Sequence, residues 1–206
     1  MNAVAILPSR ATICLCTLAV ALGPHTARAQ VPIATRGQFG LDSATAQERI
    51  AFREFVRLAR EQIVSVADAM PATKYGFAPT IGAFEHVRTF SRQVKHLAAT
   101  NYMLAAVAIG QPAPTHAGDE MGPDSVITKP QHLAYLNGSF DALERAVDAV
   151  GDSRVPVVSS PISPFQGSAA TRLALISESL MHAFDHYGQM VVYLRMNGLV
   201  PPASRK

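Results

Sequence analysis

Two histidines, His182 and His186, stand four residues apart in a stretch with the apolar periodicity of a helix. At helical pitch this spacing places the two side chains about 40° apart around the axis and about 6 Å apart along it. Both imidazoles can therefore reach one object beside the helix, and a single transition-metal ion is the usual one. A zinc-type site also needs a third protein ligand, and the pair alone is equally compatible with two hydrogen-bonded, half-buried histidines.

The third candidate ligand is His96, in the middle of an earlier helical pattern and beside its apolar stripe, one position before Leu97. A lone histidine in such a place is more often a hydrogen-bonded core residue than a ligand, so both interpretations stay open at this point. The other histidines are expected to play lesser roles. We expect His86 to make a local hydrogen bond, His116 to be solvated in a loop, and His132 to be exposed in a first helical turn.

The first 29 residues have the pattern of a secretory signal peptide. Arg10 supplies a positive start, Ala11 to Gly23 form a short apolar run, and Ala27-Arg28-Ala29 is a small-x-small cleavage motif. The run is too short to span a membrane, so no stable membrane anchor is predicted. The protein is expected to be exported, periplasmic or secreted after cleavage. Residues 30–41 are predicted to be a flexible lead-in, 42–202 the folded domain and 203–206 a C-terminal tail.

The composition after residue 29 excludes several other functions. Both cysteines, Cys14 and Cys16, lie in the predicted signal peptide, so the mature chain has no thiol nucleophile, cysteine zinc site or iron–sulfur cluster. No serine-based nucleophile motif and no glycine-rich phosphate loop is present. Removing Arg10 and Arg28 from the 18 basic residues leaves 16 against 15 acidic ones, which gives no indication of nucleic-acid binding.

Four helices must position the histidines, each predicted from apolar residues recurring at intervals of three and four. Their expected boundaries are Asp42-Ser43 to Met70, Glu85 or Thr89 to Ile109, Thr128 to Val147, and Ser168 to Met196. Proline- and glycine-rich connections at 111–126 and 151–167 join the later helices, and no stretch carries a strand signal. The sequence therefore predicts an all-α fold, a four-helix bundle with long crossover connections.

The last helix carries more apolar surface than one stripe requires. One stripe comprises Leu173, Ile176, Leu180, Phe184, Tyr187, Val191 and Leu194. A second stripe comprises Leu175, His182, His186 and Tyr193. A helix of this kind is either central or shared with a partner.

Two blocks of the chain resemble the DinB/YfiT-like superfamily of four-helix bundles. One block is 70–80 together with Arg88-Thr89-Phe90 and 94–98, and the other is 182–202, above all Asp185-His186-Tyr187-Gly188-Gln189. Between the blocks the predicted helices fall in the order that this family shows. The resemblance covers most of the mature chain and implies a DinB-like bundle that commonly forms homodimers.

The resemblance also implies a function for the histidines. In that family a histidine of the second helix and the HxxxH pair of the last helix bind one divalent metal, which identifies His96, His182 and His186 here as the expected ligands. Zinc, nickel, iron and copper all suit three imidazoles, which leave at least one coordination position for water or substrate. Asp185, Glu178 and Tyr187 are candidates to support these ligands, although Asp185 and Tyr187 are also readily explained as ordinary surface and core residues.

Family members include metal-dependent thiol transferases and thiol-linked isomerases. Export would take this chain away from a cytosolic thiol, so we expect a metal-dependent hydrolase- or transferase-type enzyme acting on another small molecule. Two alternatives remain open. One is a non-catalytic metal- or ligand-binding bundle, dimeric and associated with stress. The other is a structural dimer in which the histidines only stabilise the fold.

Overall fold

A computed structural model of the protein describes residues 46–150, 156–158 and 169–205, and four long helices make up most of these residues. The helices are α1 (Ala46–Ala69), α2 (Phe90–Ala108), α3 (Lys129–Ala149) and α4 (Arg172–Met196). Three single 3-10 turns lie at Ala72–Lys74, Thr115–Ala117 and Pro202–Ser204. The predicted all-α class is confirmed. None of these helices is long and apolar enough to cross a membrane.

Threonine side chains set where three of the helices begin. Thr89 Oγ1 accepts a hydrogen bond from the backbone N–H of Arg92, which selects the later of the two predicted starts of α2. Thr128, the predicted start of α3, forms a reciprocal capping box with Gln131. Helix α4 begins four residues later than predicted, at Arg172, because Thr171 is its cap.

The crossover before α4 contains a short antiparallel ribbon that the sequence did not predict. Strand β1 (Pro156–Val158) pairs with β2 (Ala169–Thr171), with Pro156 opposite Thr171 and Val158 opposite Ala169. Three-residue strands are too short to show an alternating pattern, which explains why the sequence carried no signal for them. The rest of the 151–167 connection lies outside the described residues, as do the predicted signal peptide 1–29, the lead-in 30–41 and the Asp42-Ser43 cap.

Helices α1 and α2 each pack against both α3 and α4, whereas α3 and α4 touch little. The predicted stripe of α2 is confirmed, since all its members are buried: Phe90, Val94, Leu97, Asn101, Leu104 and Ala108. Aromatic packing orders the connection before α2. Tyr75 donates to the carbonyl of Ala67 at 2.8 Å, and Phe77 packs edge-on against Tyr193. This packing fixes the N-terminal end of α2.

Helix α4 is rotated relative to the predicted stripe. Its buried positions are Leu175, Ile176, Glu178, Ser179, Leu180, Ala183, His186, Met190, Tyr193 and Leu194. Phe184, placed on the first predicted stripe, is instead 41% exposed. The second stripe, which carries His186 and Tyr193, faces inward, and small Ser179 and Ala183 on that face let α4 approach its neighbours closely. Periodicity alone could not choose between two stripes that are both apolar.

The prediction that His132 is exposed was wrong. The residue is only 2% exposed, because α3 turns its first-turn face toward the Met70–Thr89 connection, and the imidazole packs edge-on against Tyr75 with centroids 5.3 Å apart. Its Nδ1 donates to the carbonyl of Thr128 at 2.8 Å, and its Nε2 has no partner among the described residues. Burial therefore lowers the pKa of His132, with Lys95 contributing in the same direction.

This burial predicts a pH-dependent stability. The unfolded state takes up a proton on His132 as pH falls through about 6.5, while the folded state still resists it. Stability is therefore present above that pH and is lost progressively below it. Replacing His132→Phe is expected to reduce the slope of unfolding free energy between pH 6.5 and 5 by up to about 1.4 kcal/mol per pH unit, measured by urea titration. A Leu136→Val control should lower stability equally at every pH, and an unchanged slope in His132→Phe would contradict the assignment.

Candidate metal centre

The packing of α2 against α4 brings the three predicted residues together. His96 comes from the middle of α2, and His182 and His186 come from successive turns of α4. One nitrogen from each ring lies within 4.8 Å of the other two, close enough for all three to bind one metal ion. Among the described residues, no other group of histidine, cysteine or acidic side chains has this arrangement. The four-residue spacing sets two of the positions locally, and the third depends on how the two helices pack.

The ε nitrogens of the three rings converge. His182 Nε2 lies 3.1 Å from His96 Nε2 and 3.1 Å from His186 Nε2. Zinc–nitrogen bonds of about 2.0–2.1 Å at tetrahedral angles would separate ligand nitrogens by about 3.4 Å, so the cluster needs only a small expansion to hold such an ion. The donor set of three imidazoles fits a divalent transition metal.

Hydrogen bonds to the other ring nitrogens fix which atoms point inward. His96 Nδ1 lies 2.5 Å from the carbonyl oxygen of Glu120, and His186 Nδ1 contacts the side-chain oxygen of Gln93. Because both oxygens can only accept, each Nδ1 carries the proton, and each Nε2 presents a lone pair to the cluster. A proton on His182 Nε2 would satisfy one of its two close contacts but not both. A cation at the centre satisfies all three nitrogens at once.

Burial keeps the histidines neutral. His96 and His186 are 7% and 4% exposed, and His182 is partly buried. Burial lowers the pKa of His182 to about 3, with His186 and His96 adding to the shift, and it lowers the pKa of His186 to about 4. The pKa of His96 is also lowered, chiefly by burial. Neutral imidazole is the form that binds metal, so protons do not compete for these nitrogens at neutral pH.

A chain of amides holds one of the candidate ligands in place. Gln93 accepts from His186 and donates through Nε2 to Gln189 Oε1 at 2.7 Å. Gln189 in turn donates to Asp185 Oδ2 at 2.9 Å. Asp185, predicted as a support for the ligands, is therefore linked to His186 only through two glutamines. Gln93 was not among the predicted site residues, although its position three residues before His96, on the same face of α2, was an available signal.

The other predicted supports and the remaining described histidines are not among the three converging ligands. Tyr187 packs edge-on against Phe184, with centroids 6.0 Å apart, and Glu178 is buried at 6% exposure. His116 is exposed, as expected, and packs edge-on against Tyr102. His86 is exposed beside Glu85 and has a positive φ of 63°.

A four-helix bundle with a buried three-histidine cluster between its second and fourth helices defines a class of helical proteins able to hold a metal ion. The sequence model of the DinB superfamily matches residues 56–190. The chain therefore belongs to the DinB superfamily, as the sequence resemblance predicted. No sequence among curated proteins matches the chain.

The contact between Gln93 and His186 predicts an effect on metal affinity. Gln93→Leu removes the acceptor that orients His186 and should weaken metal binding about 10–100-fold, the usual cost of losing a hydrogen bond to a ligand histidine. Competition with a chromophoric chelator measures the affinity. Gln189→Leu keeps the bond between Gln93 and His186 and should have a smaller effect. Equal affinities in the parent and Gln93→Leu would show that this bond does not orient the ligand.

Proposed function

We propose that the protein binds one divalent transition-metal ion through the Nε2 atoms of His96, His182 and His186. The observation that carries this proposal is the convergence of three ε nitrogens, two of them fixed as lone-pair donors by hydrogen bonds on the opposite side of the ring. Zinc, nickel and iron are the candidate metals, because imidazole suits each of them.

We infer further that the site serves a metal-dependent hydrolase- or transferase-type reaction on a small molecule. Three protein ligands leave a tetrahedral ion with an open position, as in catalytic rather than structural zinc sites. A bound divalent ion would supply Lewis acidity toward a carbonyl or phosphoryl oxygen. The chain's own part is to hold the ligand rings, through Gln93 and the Glu120 carbonyl, and to exclude water by burying His96 and His186.

One observation favours a second candidate, a non-catalytic metal- or ligand-binding bundle of the stress-associated kind. Among the described residues no carboxylate belongs to the cluster, and the Nδ1 atoms of His96 and His186 donate to a backbone carbonyl and an amide. Neither group transfers protons readily near neutral pH. Catalysis would then depend on the metal and on groups of the substrate.

The experiment that tests the metal proposal is elemental mass spectrometry of the purified protein after reconstitution with zinc, nickel or iron. The parent is expected to hold close to one equivalent, and His96→Ala and His186→Ala are each expected to lose it. His116→Ala is the matched control, because this exposed histidine lies outside the cluster. Metal in neither the parent nor the control, under any of the three conditions, would refute the proposal. If the parent binds metal, the loaded protein is next screened for hydrolase and transferase activity.

We also propose that the chain forms a homodimer through α1 and α4. An apolar groove of about 450 Å³ between these helices is lined by Phe52, Phe55, Leu58, Met181 and Phe184, among other residues. Phe55 and Met181 are 52% and 64% exposed, a patch that a second copy of the same surface could cover. Light scattering should give a dimer for the parent and a monomer for Phe55→Glu. Ile127→Glu, which changes an equally apolar exposed side chain elsewhere, should remain dimeric, and a monomeric parent would refute this proposal.

Export is a further proposal, supported by the signal-peptide pattern of residues 1–29. Expression of the full chain with a C-terminal tag should give a processed protein outside the cytoplasm, beginning at Gln30. N-terminal sequencing of the fractionated protein tests this. An uncleaved chain in the cytoplasmic fraction would refute it.

A further inference from the structure

A cavity of about 390 Å³ lies beside the histidine cluster, at the N-terminal end of α2. Two arginines and two amides line it: Arg88, Arg92, Gln93 and Gln189. No acidic residue is among the described residues that line the cavity. Gln93 also contacts His186, so the cavity and the cluster share a wall residue. The volume of the cavity suits a small molecule.

Arg88 is the unusual residue of this cavity. Its Nε is buried and has no hydrogen-bond partner within the described ranges, and none of the ion pairs found there includes it. By contrast, Arg60 is paired with Asp141 at 2.7 Å. The Arg88 backbone is held in place, because its carbonyl accepts from the Tyr193 hydroxyl at 3.0 Å. A guanidinium held with a buried N–H unsatisfied is suited to receive an oxyanion from outside the chain.

The charges around the cavity also favour an anionic ligand. Arg88 and Gln93 line the same cavity, and the side-chain oxygen of Gln93 contacts His186, so the positive charge of Arg88 lies close to the cluster. Among the described residues, neither the lining of the cavity nor the cluster includes a carboxylate that would neutralise this charge. A divalent ion on neutral imidazoles would keep its full charge beside this guanidinium. An anionic ligand lying between them would offset both charges.

We propose that Arg88 binds an oxyanion of the substrate, a carboxylate or phosphoryl group, in this cavity beside the metal centre. The substrates are thereby small anionic molecules, anchored at one end by the guanidinium with a reactive group directed toward the histidines. The start of α2 at Phe90 adds the positive end of a helix to the same region. This proposal deepens the proposed function and rests on it for the role of the metal, whereas anion binding can be measured separately.

The test is isothermal titration calorimetry of acetate and methylphosphonate, each a single oxyanion on a methyl group, into zinc-loaded and metal-free protein. We expect one or both anions to bind the zinc-loaded parent at millimolar concentrations. Arg88→Gln should weaken that binding at least tenfold while retaining its zinc and its melting temperature, and Arg88→Lys should have a smaller effect. Arg195→Gln is the matched control, since this exposed arginine at the C-terminal end of α4 is not among the residues that line the cavity.

The outcomes separate this proposal from that of the metal site. Whichever anion binds more tightly identifies the substrate as a carboxylate or a phosphoryl compound. Absence of binding by both anions, or equal affinities in the parent and Arg88→Gln, would overturn the role of Arg88 even if zinc binds stoichiometrically. A protein that takes no zinc but binds anions in an Arg88-dependent way would refute the proposed metal function and retain the anion site.

Discussion

Stripping the metal from the loaded protein is expected to lower its melting temperature by about 5–10 °C. An ion that binds only the folded state, present at one hundred times its dissociation constant, adds about 2.7 kcal/mol to the free energy of unfolding. For a domain of this size each kcal/mol corresponds to about 2–4 °C. The physical reason is the convergence of the three ε nitrogens, whose lone pairs oppose one another until a cation lies between them. Differential scanning calorimetry with and without zinc measures the shift.

Variants separate this effect from general metal binding. His186→Ala should show no difference between zinc-loaded and chelator-treated samples, because it lacks one of the three ligands. His116→Ala should keep the full increase in melting temperature on zinc binding. A parent whose melting temperature is the same with and without stoichiometric zinc would mean that the ion binds the unfolded chain equally well or binds elsewhere. Concentration must be matched between samples, since a dimer would also make the melting temperature depend on it.

The second large effect is expected in the core, at a polar network that joins three helices. Asn101 of α2 donates to Ser139 Oγ of α3 at 3.2 Å and accepts from Ser179 Oγ of α4 at 2.7 Å. All three residues are fully buried. Asn101→Ala leaves the Ser179 hydroxyl without its acceptor and opens a cavity, so the free energy of unfolding should fall by about 2–4 kcal/mol, measured by urea denaturation.

Neighbouring substitutions test whether the network is the cause. In the Asn101→Ala background, Ser179→Ala should cost much less than in the parent, because its partner is already missing. Thr100→Val is the control. Thr100 precedes Asn101 in the chain, and its buried Oγ1 has no partner among the described residues, so this change should be neutral or stabilising. If the decreases in unfolding free energy caused by Asn101→Ala and Ser179→Ala are additive, the decreases reflect cavity volume rather than the hydrogen bond between the two residues.

Several features of the fold were predictable because they depend on neighbours in the sequence. The caps Thr89 and Thr128 each accept from a backbone N–H three residues away, and the stripe of α2 follows from helical periodicity. Asn101 was placed correctly on that stripe, but its partners on α3 and α4 are 38 and 78 residues away and could not be predicted. Gly138 is similar. Its need for a small residue was not predictable either, because an added Cβ would collide with the hydroxyl of Tyr102 on α2.

The sequence alone determined that His182 and His186 share one side of a helix, because four residues are close to one helical turn. Residue types and the family resemblance together identified His96 as the third expected metal ligand. Only the tertiary structure decided that α2 packs against α4 so that the three ε nitrogens converge, that Gln93 orients His186, and that Arg88 lies beside them. The physical reason is that helix rotation and packing are set by long-range contacts, whereas periodicity and capping are local.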